Sequence, residues 1–195
     1  MTVVLIIVLV VVLLLLIAPI VSYNRFVRQR NLVAESWRQI DVELQRRHDL
    51  IPNLVETVKG YAAHERQVFD EITEARAAAM QARSSAGNDR GQRATAENAL
   101  SRAVVGVVAV AEGYPQLKAN ANFLALQHEL VETEDRIAAG RRFYNGNVRA
   151  LNTRVQAFPS NLVAGLFHIA AADYFELDDP GARQAVNVDL GEGAR

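Results

Sequence analysis

Residues 3–21 form an uninterrupted apolar run, VVLIIVLVVVLLLLIAPIV, that carries no charged side chain. As an α-helix rising about 1.5 Å per residue, the run would be roughly 28 Å long, close to the hydrocarbon thickness of a bilayer. A cleaved signal peptide would need a basic start and a small-residue cleavage site. Met1 and Thr2 have no charged side chain, and APIVSYN contains no A-x-A pattern. The run therefore predicts a retained membrane-spanning helix.

The residues after this run predict its orientation in the membrane. Arg25, Arg28 and Arg30 follow within a few positions and no acidic residue lies among them. Because basic residues flanking a membrane helix stay in the cytoplasm, we expect the N-terminus outside and the remaining chain in the cytoplasm. Tyr23 and Phe26 are expected at the membrane interface, where aromatic rings are enriched.

Composition limits the chemistry of the part outside the membrane. The chain has 195 residues, a net charge of −1 and no cysteine. The balanced charge gives no general attraction to nucleic acid, and the absence of cysteine excludes disulfides and thiolate catalysis. Glycine, proline and aromatic residues are few, which favours helix over sheet.

Beyond the anchor, apolar residues recur at spacings of three, four and seven. A period near 3.5 over this length predicts a helix that packs lengthwise against other helices, as in a coiled coil. The residues on this predicted seam are Val33, Trp37, Ile40, Leu44, Ile51, Val55, Val58, Ala62, Phe69, Ile72 and Ala79.

Four residues disturb the first seam. Arg47, Glu65 and Arg76 are charged residues at seam positions. The heads of Glu65 and Arg76 would either meet charges on facing helices or reach water while their stems lie along the apolar surface. Pro52 lacks an amide hydrogen and clashes with the preceding turn, so the helix either bends there or ends with a new helix beginning. Because the apolar spacing continues in phase and Ile51 is a poor N-cap, the bend is favoured.

Turn-forming residues divide the rest of the chain. Residues 83–92, RSSAGNDRGQ, predict a loop, and the next helix should end near Gly113. A further long helix is expected to start after Asn120 and to stop at residues 158–161, where Ser160 would cap a short helix. The expected apolar positions are Leu100, Val104, Val107, Val108 and Ala111, then Phe123, Leu126, Leu130, Ile137, Tyr144, Leu151 and Val155.

These segments define an all-α chain. Residues 1–23 are the predicted anchor, and residues 24–170 are predicted to continue it into an antiparallel, four-helix-bundle-like domain of long helices. Residues 171–195 form an acidic tail rich in turn residues, which we expect to be mostly irregular and largely mobile. Within the tail, AVNVDL alternates apolar and polar residues and would be a short strand or an extended arm.

Three stretches of the chain resemble the LemA family of bacterial membrane proteins. They are VSYNRFVRQRNLVAESWRQIDVELQRRHDLIPNLVETVKGYAAHE, then YPQLKANANFLALQHELVETEDRIAAGRRFYNGNVRALNTRVQAFPSNLVAGLF, and finally DYFE followed by AVNVDL. Their order and spacing cover nearly the whole chain. The resemblance implies one N-terminal anchor, a helical-bundle cytosolic domain and a bacterial cell-membrane location. It implies no reaction.

The sequence predicts no catalytic, cofactor-binding or metal-binding residue. No pair among His48, His64, His128 and His168 has the spacing of a zinc helix, and we expect surface or half-buried polar roles for them. No Glu-x-x-His pair of the kind used by di-metal bundles occurs, nor does a phosphate-binding glycine motif. The remaining candidates form surface salt bridges or, if they face outwards together, bind anionic lipid: Arg46, Arg47, Arg141 and Arg142.

We therefore expect a single-pass protein of the bacterial inner membrane that acts as a scaffold or adaptor. It would work by binding protein partners or copies of itself, with no nucleic acid and no small-molecule substrate. One alternative is a lipid-binding or membrane-shaping module that uses the arginines after the anchor. A less favoured alternative is an enzyme with a carboxylate site inside the bundle.

Overall fold

The computed structural model describes residues 1–84 and 90–176, and these residues form helices and connecting segments without a strand. The first helix, α1, is by far the longest and includes the apolar run. The helices are α1 (Thr2–Lys59), α2 (Arg66–Ser84), α3 (Arg90–Glu112), α4 (Pro115–Lys118), α5 (Ala121–Gln156) and α6 (Ser160–Leu166). The predicted all-α bundle is confirmed, with the four-residue α4 as an unpredicted addition.

The N-terminal part of α1 projects from the bundle as an apolar rod. Its most apolar window has a mean hydropathy of 3.7 and none of it is buried. α3 is also long and apolar enough to cross a bilayer, but 33% of its window is buried and it packs along α2. These properties identify α1 as the membrane anchor and α3 as a core helix of the bundle.

The bundle consists of two helix pairs. α1 lies along α5, and α2 lies along α3, while α6 and the chain that follows it close one end of the α1–α5 pair. Gly140 of α5 permits the close approach of the first pair, because a Cβ atom there would lie 3.1 Å from Ile40 of α1. Any side chain at position 140 would require the Ile40 side chain to shift by a few tenths of an ångström.

The predicted apolar seams form two core clusters. The first lies between α1, α2, α3 and α5, and the second lies nearer the membrane between α1, α5 and α6. The first includes Ile51, Leu54, Val58, Phe69, Ile72, Leu100, Val107 and Leu130. The second includes Phe26, Val33, Trp37, Ile40, Leu44, Ile137, Tyr144, Leu151 and Phe175. Val55, Val108, Leu126 and Val155 of the predicted seams are only partly buried.

Two predictions about the N-terminal half of the chain need correction. The first apolar seam does not belong to one helix, since α1 ends at Lys59 and a turn separates it from α2. Periodicity did not reveal this turn, because Ala62 within it is buried and keeps the apolar spacing. Phe26 is fully buried in the second core and is not an interfacial anchor, whereas Tyr23 stays exposed and contacts Phe167 with ring centroids 4.6 Å apart.

α1 continues through Pro52 without ending, which excludes a new helix beginning there. A proline leaves the carbonyl four residues earlier, here that of His48, without its usual amide donor. The guanidinium Nε of Arg76 on α2 donates a 3.0 Å hydrogen bond to this carbonyl. Arg76 thus satisfies the group that Pro52 leaves unpaired, which explains why a charged residue occupies the seam of α2.

The end of α5 differs from its prediction in one detail. Asn120 caps the start of α5, as its position suggested, by accepting from the amides of Asn122 and Phe123. Ser160, however, is the first residue of α6 rather than its cap. Its hydroxyl donates to the carbonyls of Arg154 and Ala157, which lie at the end of α5. Ser160 therefore satisfies carbonyl groups at the end of α5 and does not cap the start of α6.

Parts of two predicted loops lie outside the described residues. Within residues 83–92 the ends belong to α2 and α3, and residues 85–89 are not described. The segment AVNVDL is also outside the described part of the chain. Residues 171–176 are irregular, as predicted, but they are hydrogen-bonded to α5 and bury Phe175.

Removing the Arg76 donor should destabilise the bundle only while Pro52 is present. We expect Arg76→Met to lower the free energy of unfolding by about 1–2 kcal/mol, because a buried carbonyl loses its donor. In a Pro52→Ala background the new amide can serve this carbonyl, so the same change should cost markedly less. Urea unfolding of the full chain in detergent micelles, followed by fluorescence of Trp37, measures this coupling. Arg102→Met, at an exposed position on α3, is the matched control.

Equal costs in the two backgrounds would show that Arg76 acts through some other contact.

Candidate functional site

A charge cluster lies in the centre of the bundle, where three long helices meet. Arg47 of α1 reaches Glu97 of α3 through one terminal nitrogen. Its other terminal nitrogen lies 2.7 Å from Glu134 of α5 and also donates to the Ser101 hydroxyl at 2.7 Å. The Arg47 and Glu97 side chains are 0% exposed, whereas Glu134 is 42% exposed. One guanidinium thus connects α1 to α3 and α5.

The second oxygen of Glu97 is also engaged. It lies 3.1 Å from Nε2 of His48, which follows Arg47 in the sequence and is buried beside it. Burial raises the pKa of Glu97, but the hydrogen bond from His48 and the positive charge of Arg47 outweigh burial and hold this pKa below its usual value. For Arg47, burial is likewise outweighed by Glu134 and Glu97, which keep its pKa above the ordinary value. The cluster is therefore charged in the folded protein.

This arrangement corrects two expectations about charged residues. Arg47 points inwards, so it cannot form an outward lipid-binding patch with its neighbours. Arg46 does point outwards and forms the expected surface pair with Glu129 at 3.3 Å. His48 is buried rather than superficial, unlike the exposed His64.

Sequence reasoning singled out Arg47 but missed Glu97. A signal was present, because Glu97 precedes Leu100 by three positions and so lies on the apolar seam of α3. A charged residue on each of two facing seams suggests a buried pair. The third seam charge, Glu65, is half-buried and accepts only a long hydrogen bond of 3.5 Å from Tyr114.

A second polar group lies on the membrane side of this cluster. Asp41 of α1 pairs with Arg93 of α3 and with Arg83 of α2 at 3.1 Å. Burial raises the pKa of Asp41, but the hydrogen bond and charge of Arg93 outweigh burial, so its pKa is lowered. Arg93 also lies 5.0 Å from the ring centre of Trp37, as does Arg90. These cation–π contacts tie the start of α3 to α1.

Two asparagines of α5 hold the segment that follows α6. The side-chain amide of Asn152 pairs with both backbone groups of Ala172, and that of Asn145 pairs with both backbone groups of Phe175, at 2.8–3.0 Å. Tyr144 donates to the carbonyl of Asp173 at 2.8 Å. These two asparagines of α5 therefore bind the segment that seats Phe175 against Trp37.

Chemically, the central cluster is suited to holding helices in register. Both Glu97 oxygens have partners and the Glu97 side chain is fully buried, so this carboxylate is not placed to accept a proton from a substrate. Across residues 1–84 and 90–176, no group of three His, Cys, Asp or Glu side chains could hold a metal ion. Of the arginines considered for lipid binding, Arg46 and Arg142 are exposed and Arg141 is half-buried.

Neutralising the buried carboxylate should be far more costly than neutralising an exposed one. We expect Glu97→Gln to lower the free energy of unfolding by about 3–5 kcal/mol, because it leaves a buried arginine without its fully buried partner. The matched control Glu129→Gln, which breaks the exposed pair with Arg46, should cost less than about 1 kcal/mol. Urea unfolding of the full chain in micelles at neutral pH measures both.

Glu97→Gln should also make the free energy of unfolding less sensitive to acidic pH. The pKa of Glu97 is lower in the folded than in the unfolded state, so its contribution is present at neutral pH. The stability that Glu97 contributes is lost as the pH falls below 4.5, the ordinary pKa of glutamate, and then through the lower pKa of Glu97 in the folded protein. Similar destabilisation by the two variants at neutral pH would contradict the role of the cluster.

Comparison with known proteins finds relatives of this chain. The chain is 26% identical over 178 residues to magnetosome proteins MamQ 1 and MamQ 2 of Paramagnetospirillum magneticum, covering 80% of this chain and 65% of theirs. It is 23% identical over 177 residues to magnetosome protein MamQ of Magnetospirillum gryphiswaldense, with the same coverage. The chain thus spans 65% of the length of these curated relatives. The LemA family profile matches residues 36–190, so this chain belongs to the LemA family.

Proposed function

We propose that this protein is a membrane-anchored scaffold or adaptor that acts by binding protein partners or copies of itself. The observation that carries the proposal is the continuity of α1, which runs from Thr2 to Lys59 as one helix. The anchor and the central helix of the bundle are therefore one element, without an intervening linker. Such a connection holds a bundle at a defined distance from the bilayer and presents its sides to neighbouring molecules.

The exposed sides of the bundle supply apolar contact area. Four large apolar side chains far from the membrane run are more than half exposed, on α1, α3 and α5. They are Val42, Val105, Val131 and Phe143. Protein interfaces gain stability from burying such side chains.

The related proteins are named as magnetosome proteins. We further propose that this chain lies in a bacterial inner membrane with a single pass, the N-terminus outside and the bundle in the cytoplasm. The positive-inside bias of the arginines after the anchor supports this orientation. We further propose a non-catalytic role without a small-molecule substrate, since the most buried carboxylate is already engaged by Arg47 and His48.

The proposed orientation is testable with single cysteines, because the chain has none of its own. A membrane-impermeant maleimide applied to intact cells with a permeable outer membrane should label Thr2→Cys. The same reagent should label Glu71→Cys, on the exposed face of α2, only after the inner membrane is opened. The reverse pattern would place the bundle outside the cytoplasm.

The scaffold proposal predicts specific contacts at the exposed apolar positions. A photo-crosslinking amino acid at Val42 or Val131 of the full chain, in native membranes, should give discrete products. A product of twice the chain mass would identify self-assembly, and a product containing a second protein would identify an adaptor. Glu71 and Glu74, exposed on α2, are the control positions. Products no more abundant from Val42 and Val131 than from these controls would refute the proposal.

A further inference from the structure

A large cavity lies where the membrane helix joins the bundle. Its volume is ≈ 800 Å³, within the range of ligand-binding pockets in proteins. α1 forms one wall with Leu14, Ile17 and Val21, and the end of α5 with α6 forms the other. The walls are mostly apolar, and the two arginines among the lining residues are Arg25 and Arg154.

The position of the cavity along α1 sets its depth in the membrane. Leu14 lies well within the uncharged run, and Arg25 lies just beyond it. At about 1.5 Å rise per residue, these two levels are roughly 16 Å apart along the helix. The cavity therefore extends from the acyl-chain region of the bilayer to the level of the headgroups.

The outer wall is itself suited to a membrane. Residues 155–172, which include α6, carry no Asp, Glu, Lys or Arg side chain. Ala164 faces the core, while the outward apolar side chains stay exposed. These are Phe158, Leu162, Leu166 and Phe167. Because Phe167 contacts Tyr23 of α1, this apolar surface lies directly beside the end of the membrane run. An apolar surface at that level can enter the bilayer interface.

The polar end of the cavity is positively charged. Arg25 is exposed and forms no ion pair within the described ranges of the chain. The Nε atom of Arg154 is buried and lacks a hydrogen-bond acceptor among the described residues. Neither Arg25 nor Arg154 has an acidic partner among the described residues, so both leave this end of the cavity positively charged. Guanidinium groups are well matched to phosphate oxygens in charge and geometry.

We propose that this cavity binds one anionic phospholipid from the surrounding bilayer. An acyl chain lies along Leu14, Ile17 and Val21, and the phosphate contacts Arg25 and Arg154. The bound lipid fills the space between α1 and α6 and ties the end of the bundle to the headgroup layer. The proposal does not depend on the scaffold role, and it assigns lipid binding to a site other than the outward arginines of the bundle.

Lipid retention by the full chain tests the site. The protein is purified in a neutral detergent, supplied with phosphatidylglycerol, and analysed by native mass spectrometry. The wild-type chain should retain one lipid, and Arg25→Gln with Arg154→Gln should reduce its retention about tenfold. The control, Arg28→Gln with Arg149→Gln, removes the same charge from exposed positions on the same helices and should change retention less than twofold. If both double variants lose lipid equally, the arginines act only through general charge attraction and the proposal is wrong.

A second variant separates the acyl-chain site from the phosphate site. Ala150 lines the cavity and is exposed, so Ala150→Trp should occupy the space without disturbing the core or the charge. Its retention of phosphatidylglycerol should fall about as far as that of the arginine variant, with unchanged helicity by circular dichroism. Excess inorganic phosphate should not displace the lipid from the wild-type chain. Displacement by phosphate, or full retention by Ala150→Trp, would show that no acyl chain occupies the cavity.

The depth of α6 gives an independent check. A spin label on Leu166→Cys, in the full chain reconstituted into vesicles containing phosphatidylglycerol, should be more accessible to oxygen than to a water-soluble nickel relaxation agent. Leu166 is exposed on α6 and does not line the cavity. A label on Glu71→Cys should show the opposite preference. A water-exposed label at position 166 would place the cavity outside the bilayer and refute the proposal.

Discussion

The structure depends on keeping α1 continuous from the bilayer into the bundle. A helix that spans a membrane satisfies its own backbone hydrogen bonds, and α1 extends this arrangement through the whole domain. Outside the membrane run, Pro52 interrupts this pattern because it has no amide hydrogen to donate. There the side chain of Arg76 supplies the missing donor from a different helix. Tertiary packing therefore maintains the helix that carries the anchor.

The polar interior gives the bundle a defined register. Apolar seams of similar residues can slide by a turn at modest cost, whereas a buried charge pair is satisfied in one alignment. Arg47 contacts α3 and α5 together, and Asp41 contacts α2 and α3 together. These two connections join the α1–α5 pair to the α2–α3 pair. A bundle fixed in this way can present the same surface to a partner in every copy.

The two ends of the bundle differ in chemistry, and that difference shapes its proposed roles. Near the membrane, α6 and the end of α5 surround an apolar cavity with arginines at its rim. Further out, exposed apolar side chains such as Val42 and Val131 lie on the sides of the bundle. The first surface suits a lipid and the second suits a protein. A scaffold in the LemA family would use both, one to fix its position and the other to bind its neighbour.

The sequence by itself determined the anchor and most of the helical seams, because each follows from the spacing of residues within one segment. It also marked Arg47 and Arg76 as charged residues on an apolar seam. Only the tertiary structure decided that Arg47 pairs with Glu97 and that Arg76 donates to the His48 carbonyl, because these groups are distant in sequence. The same holds for the contact between Asn145 and the backbone of Phe175. The same reason explains the errors at Phe26 and Ser160, whose roles depend on neighbours that periodicity does not reveal. The cavity beside α1 likewise arises only when α6 folds back against the membrane helix.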